Sequence, residues 1–257
     1  MARLRADQLL VDRGLVESRA RAQALILAGK VFSAERRIAK AGETLAADAP
    51  LEVRGQDHPW VSRGGIKLAH ALMHFGLSPA GRICLDIGAS TGGFTDVLLA
   101  HGAARVHAVD VGHGQLAWKL RTDARVVVHE KTNARYLTRD IVPEPVNALV
   151  CDASFIGLGT VLPAALALCA PGAWAVALIK PQFEAGRAQV GGRGVVRDAA
   201  VRAGVCQKIE RWWAALPGWR VLGVRESPIT GPEGNVEYLI AAAFDGLGEA
   251  DAPAAGH

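Results

Sequence analysis

Leu85-Asp86-Ile87-Gly88-Ala89-Ser90-Thr91-Gly92-Gly93-Phe94 is the stretch that decides the fold. An apolar strand ends in an acid and runs into a glycine-rich turn that opens a helix. Glycine there lets the backbone come close to a ligand at the carboxyl end of a strand, where open α/β sheets bind their ligands. The spacing is not the Gly-x-Gly-x-x-Gly of dinucleotide enzymes. Nor does it contain the Gly-Lys-Ser/Thr of a phosphate loop.

Working outward, the next apolar strand ends in Val109-Asp110, 24 residues after Asp86. A carboxylate at that place can accept both ribose hydroxyls of an adenosine moiety. Asn133, in Lys131-Thr132-Asn133-Ala134-Arg135, follows the third strand and is placed to meet an adenine edge. The candidate cofactor residues are therefore Asp86, Gly88, Ala89, Ser90, Thr91, Gly92, Gly93, Phe94, Asp110 and Asn133, with Asp152 from a later strand. They suit S-adenosylmethionine, a nucleoside cofactor with no phosphate to cradle.

Strands are expected at 82–87, 105–110, 125–129, 146–151, 173–180, 219–224 and 237–244, with helices between most of them. This alternation implies a mainly parallel sheet covered on both faces, an α/β architecture. Residues 153–179 carry no charged side chain, which is long enough to cross a bilayer. Pro163 and Pro171-Gly172 interrupt the run, so it reads instead as a helix over about 158–169, a turn, and a buried strand from Trp174 to Ile179.

The composition, 50% apolar and 21% charged, is that of a globular protein. The net charge of +4 is mild, but residues 1–40 hold nine Lys or Arg against four Asp or Glu, so the excess lies there. Two short helices are expected at 5–14 and 19–28, with Gly14 closing the first, Ser18 capping the second and Gly29 ending it. Val31 to Leu51 reads as short strands and turns. The candidate phosphate contacts are Arg3, Arg5, Arg19, Arg21, Lys30, Arg36, Arg37 and Lys40, joined by Arg63 beyond the linker. Cys84, Cys151, Cys169 and Cys206 form no Cys-x-x-Cys pair and read as reduced core thiols. The N-terminus shows no apolar signal region, so a cytoplasmic location is expected.

Four polar residues stand out at strand or helix ends: Lys67, Asp152, Lys180 and Glu237. Lys180 closes a long apolar strand and Asp152 closes its neighbour, so both are expected to face one cleft above the sheet. A hydroxyl group is a poor nucleophile at neutral pH, and its proton must be taken as it attacks. A lysine can take it only as the neutral amine, which burial and a second ammonium both favour. In this scheme Lys180 is the general base, Lys67 favours its neutral form and orients the hydroxyl, and Asp152 and Glu237 hold the lysines.

The Lys67, Asp152, Lys180, Glu237 set resembles the Lys-Asp-Lys-Glu tetrad of the FtsJ-like ribose 2'-O-methyltransferases. The phrases DIGASTGGFT, VDVGHGQLAW, KTNAR, LIKPQFE and GNVEY are similar to those of the TlyA family within it. The order helix, helix, Gly-Lys-Val, basic turn resembles the alpha-L RNA-binding motif. The resemblance implies a Rossmann-like class I methyltransferase, mostly parallel with one antiparallel strand, behind a small α+β alpha-L domain. It implies an RNA-binding domain at 1–58, a linker at 59–62, a methyltransferase domain at 63–244 and a disordered tail at 245–257. It further implies methyl transfer from S-adenosylmethionine to the 2'-hydroxyl of a cytidine in ribosomal RNA or ribosomal subunits. No membrane and no obligate protein partner are implied. One departure is the linker: the family often has Arg-x-Trp-Val, and this chain has His58-Pro59-Trp60-Val61, without the permanent cation.

Other chemistries leave other marks. Amine methylation of bases often uses an Asn/Asp-Pro-Pro-aromatic turn, and this chain has Asp152-Ala153-Ser154-Phe155. Carbon methylation needs a cysteine nucleophile, and Cys151 is expected to point into the sheet. His70 and His74 stand at helical spacing but lack a third ligand, so no metal site is expected. Trp212, Trp213 and Trp219 read as packing residues. Two readings compete with the enzyme: a non-catalytic RNA-binding assembly factor, which the full tetrad and glycine loop argue against, and a membrane-lytic haemolysin, which the interrupted apolar runs argue against.

Overall fold

The computed structural model describes residues 3–16, 18–54, 58–186, 189–191 and 194–247. The first segment forms β1 (Arg3–Arg5), α1 (Ala6–Asp12), α2 (Arg19–Leu27), β2 (Val31–Ser33), β3 (Arg36–Arg37), β4 (Thr44–Ala46) and β5 (Glu52–Val53). Ser18 caps α2 by accepting from the Arg21 amide, and Gly14 and Gly29 take the left-handed backbone that stops each helix. Leu9, Leu10, Ile26, Val31 and Ile38 close a small core of their own between the two helices and the short strands.

The rest builds one large sheet. Its elements are α3 (Gly64–Phe75), β6 (Ile83–Ile87), α4 (Gly93–Ala100), β7 (Arg105–Val109), α5 (Trp118–Arg121), β8 (Val126–His129), β9 (Val146–Cys151), α6 (Leu158–Val161), α7 (Pro163–Leu166), β10 (Cys169–Ile179), α8 (Pro181–Glu184), α9 (Ala199–Ala214), β11 (Trp219–Glu226) and β12 (Tyr238–Phe244). A 3-10 turn at Ala134–Tyr136 follows β8. The strand order is β11-β12-β10-β9-β6-β7-β8. Among the described strands of this sheet, β12 alone runs opposite to the other six. The α/β expectation, mostly parallel with one antiparallel strand, is borne out. Both faces are covered, one by a core around Leu149, Ile179 and Trp213, the other by a core around Leu68, Phe94 and Leu178. Trp213 and Trp219 are buried and Trp212 packs beside them, so the three tryptophans are packing residues as expected.

Two particulars differ from the sequence reading. The expected helix over 158–169 is two short helices, because Pro163 has no amide to continue the first and starts the second instead. The strand then begins at Cys169, before Pro171-Gly172, and its pairing with β9 slips between Cys169 and Trp174 where Gly172 turns left-handed. The tail at 245–257 mostly lies outside the described residues, but Asp245 is tied to the sheet edge: its amide donates to the Gly218 carbonyl and its carboxylate meets Arg220 at 3.0 Å. Gln56 and Asp57, before the linker, also lie outside the described residues. Among the described residues no helix is long and apolar enough to cross a membrane.

Candidate active site

The strand order reverses between β6 and β9, and the crevice above that reversal is where an open α/β sheet binds ligands. Here it is a cleft of about 420 Å³. Parallel strands deliver their C-terminal residues to this edge: Gly88 after β6, Asp152 after β9 and Lys180 after β10. Because β12 runs the other way, its beginning lies at the same edge, and the pairing of Ile179 with Tyr238 brings Glu237 beside Lys180. Lys67 arrives from α3, where it shares the buried stripe of Leu68, Ala71 and Leu72.

The four charges meet at the floor of the cleft. Lys67 Nζ donates to Glu237 Oε2 at 2.6 Å and lies 3.9 Å from Asp152 Oδ2. Lys180 Nζ lies 2.7 Å from Asp152 Oδ1, donates to the Asp152 carbonyl at 3.1 Å and donates to Ser154 Oγ at 2.8 Å. Both lysine side chains are 8% exposed and Glu237 is 2% exposed. Cations so far from water persist only when paired; two carboxylates for two lysines meet that condition.

The glycine loop forms the next wall, through Gly88, Ala89, Ser90, Thr91, Gly93 and Phe94. Gly88 has φ +76°, and a Cβ there would come within 3.0 Å of the Ala153 backbone. Gly93 is required by packing, since a Cβ would stand 2.3 Å from Ser62 Oγ. Gly92 faces Leu116 and Leu120 rather than the cleft. Asp86 does not line the cleft either. It is fully buried beneath the loop, accepts from Thr95 Oγ1 at 2.6 Å, and burial pushes its carboxyl up to about 7.

Asp110 stands beside a narrow recess at the other end of the loop. Its oxygens accept from the Ser90 amide at 2.8 Å and the Gly112 amide at 2.7 Å. Gln115 and Glu130 line the same recess, and sequence reasoning missed both. Glu130 orders the loop by accepting from the Gly114 amide and His113, each at 2.8 Å. The recess measures about 10 Å³, and beside it Ser90 Oγ donates to Gln115 Oε1 at 3.3 Å. Asn133 is not brought to either cavity; its side chain is spent on the Arg135 amide at the start of the 3-10 turn. With that exception and those of Asp86 and Gly92, the residues present fit a nucleoside sulfonium: close backbone at Gly88, a carboxylate at Asp110, and no basic phosphate cradle.

The candidate phosphate contacts are mostly exposed. Arg5 and Arg19 both pair with Asp7, at 2.9 Å and 3.0 Å. Asp7 is itself fully buried, and Arg5 beside it holds its carboxyl well below the usual carboxylate range. Sequence reasoning missed Asp7. Arg3 donates to the Thr44 carbonyl at 2.7 Å, and Arg36 meets Glu43 at 2.5 Å. Arg21, Arg37 and Lys40 are exposed, and Lys30 is half-buried. Arg63 and Ser18 line the large cleft itself. The linker is pinned by the Val61 amide on Asp96 Oδ2 at 2.8 Å, with Trp60 against Gly65. Phe155, also missed, stands 89% exposed two residues beyond Ala153, with φ +65° and its ring 5.0 Å from that of Phe183. Among the described residues no group of three side chains is placed to hold a metal.

This geometry has relatives. Residues 60–244 match the FtsJ-like methyltransferase family, and the 16S/23S rRNA (cytidine-2'-O)-methyltransferase TlyA of Mycobacterium tuberculosis is 50% identical over 93% of this chain and 89% of its own. The chain belongs to the FtsJ-like methyltransferases, within the TlyA family. Hemolysin A of Brachyspira hyodysenteriae is 40% identical over 92% of this chain and 98% of its own. Among solved structures, a candidate hemolysin from Streptococcus thermophilus superposes with a TM-score of 0.75 at 41% identity, covering 96% of this chain and 90% of that one. The FtsJ-like match begins at Trp60, so the glycine loop, Asp110 and all four charged residues of the cleft fall inside it.

Proposed function

We propose that this chain transfers a methyl group from S-adenosylmethionine to the 2'-hydroxyl of a cytidine in ribosomal RNA. Residues 1–58 then serve as an RNA-binding domain, 59–62 as its linker and 63–244 as the methyltransferase domain, acting on the ribosome in the cytoplasm. The observation that carries this reading is the buried cluster of Lys67, Asp152, Lys180 and Glu237 under an adenosine-type loop. The methyltransferase named for cytidine 2'-oxygen in the similar Mycobacterium tuberculosis chain supports it.

The cofactor supplies an electrophilic methyl group, and the protein's share is to hold it and to handle one proton. Gly88 to Phe94 and Asp110 are the residues to hold it. Lys180, nearly out of water, takes the hydroxyl proton as the amine. Asp152 holds Lys180 within 2.7 Å, and Glu237 holds Lys67 at 2.6 Å so that the second cation stays in the cleft. Carbon methylation is disfavoured by the cysteine that, among the described residues, lies near this edge. Cys151 is fully buried, and burial pushes its thiol up to about 12, so no thiolate is on offer. Arg63 and Ser18 at the rim extend the cleft toward the N-terminal cations.

The test is transfer of labelled methyl from S-adenosylmethionine to unmodified ribosomal RNA and to whole subunits, with the product located by ribose-methylation mapping. Label on a cytidine 2'-oxygen is expected. Label on a base would overturn the chemistry, and RNA binding without transfer would favour the assembly-factor reading.

A further inference from the structure

Ser154 lies outside the tetrad, and nothing in its sequence context marks it, yet its hydroxyl holds the Lys180 nitrogen at 2.8 Å. Among the described residues three oxygens surround that nitrogen, and they are not equivalent. The Asp152 carbonyl at 3.1 Å and Ser154 Oγ both meet it with hydrogen-bond geometry. Asp152 Oδ1, 2.7 Å away, meets it as an ion pair outside that hydrogen-bond geometry.

The distinction matters when Lys180 is the neutral amine, the form a general base requires. An amine has two N–H bonds and one lone pair. With one hydrogen on the Asp152 carbonyl and the other on Ser154 Oγ, rotation about the Cε–Nζ bond is stopped and the lone pair has a single direction left. The carbonyl alone leaves the amine free to swing, with the lone pair turned toward the wrong oxygen much of the time. Ser154 also lines the cleft with Lys180, so a substrate hydroxyl meets the pair together. We infer that Ser154 is a positioning residue for the methyl-transfer reaction, the second of two acceptors that aim the Lys180 lone pair at the ribose hydroxyl. The inference rests on Lys180 being the base in the proposed reaction.

It makes a divided prediction. Removing the hydroxyl with Ser154→Ala loosens the aim, so the plateau kcat falls by about 10-fold, the scale of a misplaced reacting group. The same change removes an acceptor that favours the ammonium, so the acidic limb of the pH–rate profile moves to lower pH. KM for RNA and for S-adenosylmethionine stays put. Ser154→Thr keeps an acceptor oxygen and recovers most of the rate. A merely structural loss would not lower the plateau while moving the limb in the favourable direction.

The experiment is the full pH–rate profile of wild type, Ser154→Ala and Ser154→Thr on ribosomal RNA, with a ¹³Cε NMR titration of Lys180 in the same proteins without substrate. A lower plateau with the limb and the NMR titration both moved down in Ser154→Ala, and rescue by Ser154→Thr, is the expected result. An unchanged profile, a change in KM alone, or a threonine variant as slow as the alanine variant overturns the inference. Wild type without methyl transfer would instead overturn the proposed function; the NMR titration still decides whether Ser154 holds Lys180, and an identical titration in Ser154→Ala rejects that as well.

Discussion

The N-terminal segment and the cleft use the same chemical pairing to opposite ends. In the first, two arginines, Arg5 and Arg19, share the buried carboxylate of Asp7, and their side chains stay about half exposed at 49% and 50%. In the second, two lysines share Asp152 and Glu237, and both are 8% exposed. Water decides the difference. Guanidiniums that reach solvent keep their charge at every working pH and can meet phosphates, at the expense of screening by salt. Ammoniums removed from solvent depend on their carboxylates and cannot exchange them for water. In the proposed reaction one arrangement holds a polyanion and the other moves a proton.

The comparison can be broken most forcefully at Glu237. Glu237→Ala leaves Lys67 without its 2.6 Å partner in a nearly dry site, with only Asp152 at 3.9 Å. Breaking a buried pair in this way costs about 3–5 kcal/mol, so the urea midpoint should fall steeply. A variant as stable as wild type would show that the cleft charges are as well solvated as those on the surface.

Asp7→Ala should cost less, about 2 kcal/mol, because Arg5 and Arg19 can turn to water when their shared acceptor is lost. The pH dependence sharpens this. The Asp7 carboxyl is depressed in the fold, so its stabilisation is fully present above the ordinary carboxylate value of 3.8 and is lost as pH falls below it. Wild type should therefore lose its advantage over the variant in acid, as read by urea unfolding from pH 6 to pH 3.

Asp86 carries the opposite sign. Burial raises its carboxyl from 3.8 to about 7 in the fold, so the folded protein holds a proton that the unfolded chain releases. Wild-type stability then falls as pH rises from near 4 to about 7 and levels off above. Asp86→Asn cannot ionise and keeps an acceptor for Thr95, so its stability relative to wild type should grow across that window by a few kcal/mol, on the order of 1.4 kcal/mol per unit of the shift. A gap that stays constant with pH would mean that Asp86 is not protonated in the fold.

Much of the sheet was legible in the sequence because buried parallel strands are nearly continuous apolar runs, and all seven fall where those runs fall. The tetrad residues were legible for the same reason: Lys180 and Asp152 interrupt apolar strands at their ends, and Lys67 interrupts an apolar helical stripe. What was not legible depends on contacts across space. Asp7 reads as an ordinary first-turn acid until α1 packs on α2 and buries it. Asp86 sits on a strand covered on both faces, where alternation gives no sign of which way a side chain points, and it turns toward Thr95 rather than the cleft. Asn133 is drawn into its own turn, a local competition that asparagine often wins. Ser154 and Gln115 are unremarkable polar residues in loops, and only the position of Lys180 or Ser90 gives them a partner.

The account turns on the difference between holding and reacting, and one single-turnover experiment tests it. Methyl transfer to ribosomal RNA is followed for wild type, Lys180→Ala and the Arg5→Ala, Arg19→Ala double variant, with RNA affinity measured alongside. Lys180→Ala should slow transfer by about 10²- to 10⁴-fold, the usual contribution of a positioned general base, with RNA affinity unchanged. The arginine pair should weaken binding and flatten its salt dependence while the rate on saturating RNA is kept. Near-normal transfer by folded Lys180→Ala would contradict the account.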